Sequence, residues 1–385
     1  MKYFDYAATC PLDRDAADIY LKASTDYFGN SQSLHEAGSA AANLLESCRQ
    51  EFSRLLEVEE AGVYFTSGGS EANYLGIIAL LSAKTKKGNH LITGAAEHSS
   101  VYNLMKKLEA EGWEVTYLPL EKDGLIKVES FIHAVRPDTV LVSIQHGNPE
   151  IGTLQPVKTI ATHCRQKGIL IHTDCVQTFG KIPLDSLARS VDALSISGHK
   201  FYGPKGTGVA YVHPKLAWKP YIVGTVHEKG FRPGTVNVPG IAAMTAAAQK
   251  AYSRILTDQA RLQTLRTALL HALAEINGSF VIFGADREKQ LPGIVGMSLH
   301  GLEGQMVMLE CNRWGFAIST GTACHTGMLT PAKSMVAMGI KGKEAKGFFR
   351  ISFGRDTVEE DVIELGKVLT LIASKTKTVS LQADL

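Results

Sequence analysis

The sequence predicts an α/β fold: a large domain on a mostly parallel sheet covered by helices, followed by a smaller C-terminal α/β domain. Three observations predict it. Short, near-continuous apolar runs, such as Val140-Leu141-Val142-Ser143-Ile144 and Ile169-Leu170-Ile171, alternate with stretches of helical spacing. That is the pattern of parallel strands buried on both faces. Beyond about residue 250 the order changes to strand, helix, strand, a long connection, then strand and helix. We expect residues 16–250 to form the large domain, and residues 1–15 with 251–385 the small one.

In chain order, Tyr3 to Thr9 reads as an extended entry ended by Pro11, and Phe28-Gly29-Asn30-Ser31 as a loop. From about Ala37 to Leu56, Ala41, Leu44, Leu45, Cys48, Phe52 and Leu55 recur on one side of a helix. Gly62 to Thr66 is a short strand, and Ser67-Gly68-Gly69-Ser70 turns it into a helix running to about Ser82. Strand, glycine-rich turn and helix in succession aim free backbone N–H groups at an anion. A plain strand-to-helix loop favours the same residues. His90 to Thr93 is the next strand, and Glu97-His98 opens a helix through Leu108. Runs from Glu114, Val140, Ile169, Ala193 and Gly208 complete the strands, with a helix from about Pro156 to Gln166. Pro239 starts a helical stretch to about Glu275. Runs from Val295, Glu303, Ala317, Phe349 and Thr357 make up the small domain. Thr330-Pro331 reads as the N-cap and first residue of a short helix that stops at Gly339. Glycines at 321 and 327 lead us to expect residues 321–329 to be more mobile than their surroundings.

Bulk properties exclude several classes of function. The net charge of +2 gives no strong pull to nucleic acid or to a membrane surface. No apolar run approaches the ~18 residues of a membrane span, and Met1 to Asp5 lacks the apolar core of a signal peptide. The six cysteines, at 10, 48, 164, 175, 311 and 324, form no C-x-x-C pair, which argues against a zinc ribbon or a thioredoxin motif. Scattered cysteines without a secretion signal point to a reducing, cytoplasmic setting.

The chemistry gathers around Ser195-Ile196-Ser197-Gly198-His199-Lys200, where a lysine follows the end of a buried strand. Desolvation there lowers an ammonium's pKa and makes it a usable nucleophile. Asp174 also ends a strand, His98 starts a helix, and Ser67 to Ser70 follow a strand. Ligands of such sheets sit beyond the carboxyl ends of the strands. A phosphorylated pyridine cofactor needs an amine, a carboxylate for the ring nitrogen, a flat group over the ring and an anion pocket. Lys200, Asp174, His98, and Ser70 with Ser197 and His199 are of the right types. Each also has a plainer role: a surface lysine, a helix cap, a helix-start residue, a structural donor. Their co-occurrence at successive strand ends carries the joint reading.

These residues sit in motifs that resemble the cysteine desulfurases of the NifS/IscS type, among the class V, fold-type I pyridoxal-phosphate enzymes. The motifs are Phe65-Thr66-Ser67-Gly68-Gly69-Ser70-Glu71-Ala72-Asn73, Glu97-His98, Asp174-Cys175-Val176-Gln177, Ser197 to Gly206, Arg232-Pro233-Gly234-Thr235 and Ser319-Thr320-Gly321-Thr322-Ala323-Cys324. The resemblance runs from Asp5 almost to the end. It implies pyridoxal 5′-phosphate as cofactor, Lys200 as its Schiff-base lysine, Asp174 at the ring nitrogen, Gln177 at the ring hydroxyl and His98 stacked on the ring. It implies Ser70, Ser197 and His199 at the phosphate, joined by Thr235 of a partner subunit, hence a homodimer. Asn30 and Arg350 match substrate-carboxylate positions, and a guanidinium suits a carboxylate bidentately.

Cys324 matches the persulfide-forming nucleophile, with His98 and His325 as candidate bases. The implied reaction converts L-cysteine to L-alanine and passes sulfur to an acceptor, an Fe–S scaffold or an Fe–S client such as quinolinate synthase of NAD biosynthesis. Competing readings are a related pyridoxal-phosphate lyase or aminotransferase that does not use Cys324, and a catalytically silent partner-binding homologue. Two departures stand out. Pro149 replaces the usual Asn after Asn148, and Cys10 stands where the family usually has Thr, read as a passive replacement.

Overall fold

The computed structural model describes residues 1–320 and 331–383, with side chains as far as residue 374. Cys324, His325, the N-cap expected at Thr330 and the mobility expected of 321–329 lie outside the described residues.

Among the described residues the strands are β1 (Lys2–Tyr3), β2 (Val63–Thr66), β3 (His90–Gly94), β4 (Glu114–Leu118), β5 (Thr139–Ser143), β6 (Leu170–Asp174), β7 (Ala193–Ser197), β8 (Gly208–Val212), β9 (Phe280–Phe283), β10 (Ile294–Leu299), β11 (Phe316–Ala317) and β12 (Phe348–Ser352). Seven form one sheet in the order β2-β8-β7-β6-β5-β3-β4. Strand β8 runs against both neighbours, and the other pairings are parallel. Strands β2, β3, β5, β6 and β7 therefore all end at one rim. Every residue of β3, β5, β7 and β8 is buried, because helices cover both faces. Helices Glu36–Leu56, Val157–Lys167 and Val238–Ser253 share one core with Phe52, Phe65, Phe179 and Ile196. Helices Gly69–Ala83 and Ser99–Ala110 form the other with Ile77, Leu80 and Leu104.

A second layer carries an antiparallel sheet, β12-β10-β9, under helices Ile255–Ala272 and Glu359–Ala383. Its core holds Leu265, Leu269, Val295, Met297, Phe349, Ile351, Val362 and Leu369, and also Phe4 from the N-terminus. Phe4 packs against the rings of Phe316 and Phe353, and β1 pairs in parallel with β11.

The expected helix from Pro239 to Glu275 is two helices that meet at Arg254. Arg254 donates its N–H to Ala251 O, a tightened turn, and keeps helical φ and ψ. The break falls where the apolar face changes partners, from Ala247, Ala248 and Ala251 in the first core to Leu265 and Leu269 in the second. The short helix before Gly339 starts at Lys333, not at Pro331, and Gly339 takes the expected positive φ of 76°. The entry strand is shorter than expected, since Tyr6 to Ala8 already turn. Helix Arg14–Asp26 and strand β9 escaped the sequence reading.

One buried ion pair fixes the loop that approaches the rim. Arg49 Nη1 and Nη2 donate to the Glu228 carboxylate at 2.9 and 3.0 Å, and Glu228 Oε2 also accepts from Phe65 N at 2.7 Å. Both side chains are almost wholly buried. Glu228 and Lys229 hold positive φ values of 47° and 56°, which non-glycine residues adopt only under surrounding constraint. Glu228→Ala should therefore lower stability by about 3 kcal/mol, because it leaves the buried Arg49 charge with only the half-exposed Glu46 as a partner, at 3.1 Å. Urea titration checks this, with the double variant Arg49→Met/Glu228→Leu expected to recover most of the loss.

Candidate active site

The rim is built from the residues that follow each parallel strand. After β2, Gly68 takes φ +150° and ψ −179°, a backbone state open to glycine alone, and starts helix Gly69–Ala83. A Cβ on Gly69 would lie 2.7 Å from Val176 Cγ2 and 3.1 Å from Ser197 Cβ. The turns after β2, β6 and β7 thus touch, with Ser70 exposed in the first turn of the helix and the Ser197 hydroxyl beside it. Glu71 Oε2 accepts from Ser67 N at 2.5 Å and meets Arg232 Nε at 3.2 Å, which neutralises a carboxylate beside an otherwise anion-seeking helix start.

Asp174 ends β6 and is buried. Its Oδ2 accepts from Asn73 Nδ2 at 2.7 Å and its Oδ1 from Val176 N at 2.9 Å. Asn73 Nδ2 also donates to Ser100 Oγ at 2.9 Å. His98 caps helix Ser99–Ala110, its Nδ1 accepting from Ser100 N at 3.2 Å. Burial lowers the His98 pKa; Lys200 and Lys333 add to that and Asp174 opposes it. The imidazole is therefore neutral near pH 7 and able to take a proton.

Lys200 closes a 3₁₀ turn after β7. Its Nζ donates to Ala7 O at 2.7 Å and Ala8 O at 2.8 Å. Burial chiefly, then the charges of Lys181 and Arg350, lower its pKa to about 8; Cys10 and Asp174 work the other way. His199 Nδ1 lies 3.1 Å from Thr9 Oγ1, and burial with Lys200 nearby lowers its pKa to about 4. Gln177 Nε2 donates to Ala7 O at 2.9 Å, and its Oε1 accepts from Lys181 Nζ at 3.0 Å. Ser70, His98, Asp174, Gln177, Ser197, His199 and Lys200 thus converge on one rim.

Arg350, on β12, donates Nη1 to Pro149 O at 2.8 Å and Nη2 to Asp5 Oδ1 at 2.6 Å. Among the described residues its Nε is buried without an acceptor, an arrangement that costs about 1–3 kcal/mol. Ser319 pairs with Arg350 through two backbone hydrogen bonds of 2.6 and 3.1 Å. On the far side of the undescribed segment, Glu150 accepts from Ser334 N at 2.7 Å and Lys333 N at 3.3 Å. Asn148 is consumed locally: its Oδ1 accepts from Glu150 N and Ile151 N, and its Nδ2 donates to Ser334 Oγ. Asn30 and Thr235 sit on exposed loops. Asn30 Oδ1 accepts from Gln32 N at 3.0 Å, a turn of its own.

The sequence reading missed three groups at this site. Asn73, inside a quoted motif, holds Asp174; its spacing of four from Gly69 on the same helix was the available signal. Glu97 is fully buried, accepts from Gln145 N at 2.9 Å and is raised well above the carboxylate range by burial. Lys181, four residues after Gln177, carries no sequence signal at all. Cys10 is buried with its thiol 3.4 Å from Lys200 O, and burial raises its pKa, which agrees with a passive replacement.

These residues fit a phosphorylated pyridine aldehyde. A glycine cradle with hydroxyls suits the phosphate, a buried and doubly donated carboxylate suits a ring N–H, and a desolvated amine suits the aldehyde.

The chain matches the class-V aminotransferase family over residues 2–365. It is 45% identical to a NifS-type protein of Bacillus subtilis (strain 168), across 98% of this chain and 96% of that one. It is 35% identical to the cysteine desulfurase IscS of Methanosarcina thermophila, across 98% and 93%. Among solved structures it superposes on a NifS-like protein with TM-score 0.89 at 31% identity, covering 97% of this chain and 99% of that one.

The Asn73–Asp174 contact gives a test of the rim. Asn73→Ala should lower stability by about 1–3 kcal/mol, since it strips a donor from a buried carboxylate. In an Asp174→Ala background the same change should cost markedly less, as a double-mutant cycle by urea titration would show.

Proposed function

The chain belongs to the class-V aminotransferase family and is a pyridoxal-phosphate-dependent cysteine desulfurase, and from that premise we propose how its residues divide the work. Pyridoxal phosphate supplies an aldehyde that bonds amines and a ring that accepts electrons from the substrate's α-carbon. Lys200 is the amine that holds it, because it is the desolvated lysine at the end of β7. Asp174 would hold the ring nitrogen, Gln177 the ring hydroxyl and His98 the ring face. Ser70, Ser197 and His199 bind the phosphate with the N–H groups that open helix Gly69–Ala83. Thr235 of a second copy completes that cradle, so the working unit is a homodimer.

L-Cysteine enters with its carboxylate at Arg350, whose buried Nε–H lacks an acceptor, and at Asn30. Lys200, besides holding the cofactor, would take up the substrate's Cα proton at Nζ. His98, neutral near pH 7, takes the proton of a thiol. Cys324 thiolate would attack the substrate sulfur; the carbon–sulfur bond would break, a persulfide would remain on Cys324, and alanine would leave once Cβ has gained a proton and Cα has regained the one it lost. Ser319, five residues before Cys324 in the sequence, pairs its backbone with that of Arg350. The sulfur then passes to an acceptor protein. An Fe–S scaffold or an Fe–S client such as quinolinate synthase is the acceptor class we favour, in the cytoplasm. No helix among the described residues is long and apolar enough to cross a membrane, and the five described cysteines are buried and free. Residues 16–250 make up the cofactor domain, and 1–15 with 251–385 the small domain.

The observation that carries this reading is the convergence of Lys200, Asp174 and His98 on one rim. Borohydride reduction of the purified enzyme should fix the cofactor on the Lys200 peptide, and Cys324→Ser should keep the cofactor absorbance while losing sulfide and alanine release. A label on another lysine, or full turnover by Cys324→Ser, would overturn it. Arg350→Ala should weaken L-cysteine binding by about tenfold or more with the cofactor in place, the size of a lost charge-assisted hydrogen bond. A substrate titration followed by absorbance measures it.

A further inference from the structure

Behind Lys200 lies a cavity lined by Tyr6, Ala7, Cys10, Lys181 and Lys200. Lys181 is the feature there that needs explaining. Among the described residues no carboxylate neutralises it: burial and the Arg350 charge lower its pKa, and only Cys10 opposes them. A cation in such a place is costly unless it does something. Its Nζ donates to Gln177 Oε1 at 3.0 Å. An ammonium has donors only, so this contact decides which end of the amide faces it. The Gln177 nitrogen is thereby turned to Ala7 O at 2.9 Å. That same carbonyl accepts from Lys200 Nζ at 2.7 Å. Two side chains thus meet on one backbone oxygen, and Lys181 is linked to it through Gln177.

The groups facing Lys200 come from four parts of the chain. Lys181 follows β6 and Arg350 lies on β12, both positive; Asp174 ends β6 and Cys10 belongs to the N-terminal segment. Asp5 partly offsets Arg350 through its ion pair. His98 and His199 stand near and are neutral. Lys181 is thus the stronger of the two positive influences on Lys200, and among the described residues it has no carboxylate partner.

We propose that Lys181 is a positioning residue of the desulfurase site: it sets the orientation of the Gln177 amide and keeps the Lys200 amine ready to lose its proton. The proposal rests on Lys200 being the lysine that bonds the cofactor. Removing a neighbouring like charge favours the protonated amine, so its titration moves up, and the neutral fraction near pH 7 falls.

The test uses the full-length protein stripped of its cofactor. Pyridoxal phosphate is added across a pH series, its uptake is followed by absorbance, and the product is reduced with borohydride and mapped. Wild-type uptake should rise with a midpoint near the Lys200 value of about 8. Lys181→Met should move the midpoint up by about one pH unit and slow uptake at pH 7 by roughly tenfold. Lys181→Arg should stay near the wild type. Lys181→Gln, which keeps an amide donor toward Gln177 without the charge, should move the midpoint as Lys181→Met does and guards against a misfolded first variant. Wild-type midpoints in both neutral variants, with label on Lys200, would overturn the proposal alone. Label on another lysine would overturn the site assignment and the proposal with it.

Discussion

The pairing of β6 with β7 is the constraint on which the site depends. Asp174 lies opposite Ser195 in that parallel register. The two strands therefore end side by side, and their turns deliver Asp174 to Gln177 and Ser197 to Lys200 to one place. A parallel ladder can be held at such register because both strands are buried on both faces; a slip by one residue would turn every side chain over. Strand β2 reaches the same rim only because β8, running backwards between it and β7, adds its width without reversing it. The Gly68–Gly69 turn then fits against Ser197 and Val176 with no room for a methyl group on Gly69.

The N-terminal segment joins this rim to the small layer. Phe4 is anchored in the second core, while Cys10 N and Asp13 N donate to the carbonyls of His199 and Tyr202 at 2.9 Å each. Between these anchors, the carbonyls of Ala7 and Ala8 meet Lys200, and Ser352 Oγ accepts from Ala7 N. Asp5 from the same segment pairs with Arg350 on β12. A short, mostly buried strand of chain thus holds the amine from the large layer and the guanidinium from the small layer at a fixed separation. Residues 1–15 therefore touch both layers.

The fold class was legible because periodicity survives in a single sequence: buried parallel strands stay apolar throughout, and their partners show a helical stripe. The site residues that end strands, Asp174, Ser197 and Lys200, were legible for the same reason, since in a parallel sheet the end of a strand is already a location. What was illegible depends on tertiary contact. Lys181 and Glu97 matter through what is packed around them. The break at Arg254 has no proline or glycine to announce it, and follows from the helix changing the core it serves. Helix Arg14–Asp26 did carry a signal, Asp13 as an N-cap accepting from Asp15 N at 3.0 Å, but its exposed face, with Ile19, Tyr20 and Leu21, blurs the amphipathic pattern. Asn30 and Thr235 belong to exposed loops, where sequence can name a residue type but not the surface it meets.

Charge explains why this rim selects its ligands. Lys181, Lys200 and Arg350 lie near one another, against Asp174 and the already paired Asp5. Protein around them removes the water that would screen three positive groups in solution. The stress has two outlets. One is proton loss: burial and neighbouring cations lower the Lys200 pKa to about 8 and lower that of Lys181 as well, while arginine does not yield. The other is an anion, and the carboxylate proposed to bind at Arg350 would supply it. The two outlets are linked. An anion arriving at Arg350 would relieve the repulsion on Lys200 and raise its affinity for a proton. On the roles proposed above, the cluster that favours release of the amine's proton in the resting enzyme would then make it a better base once an amino acid is bound.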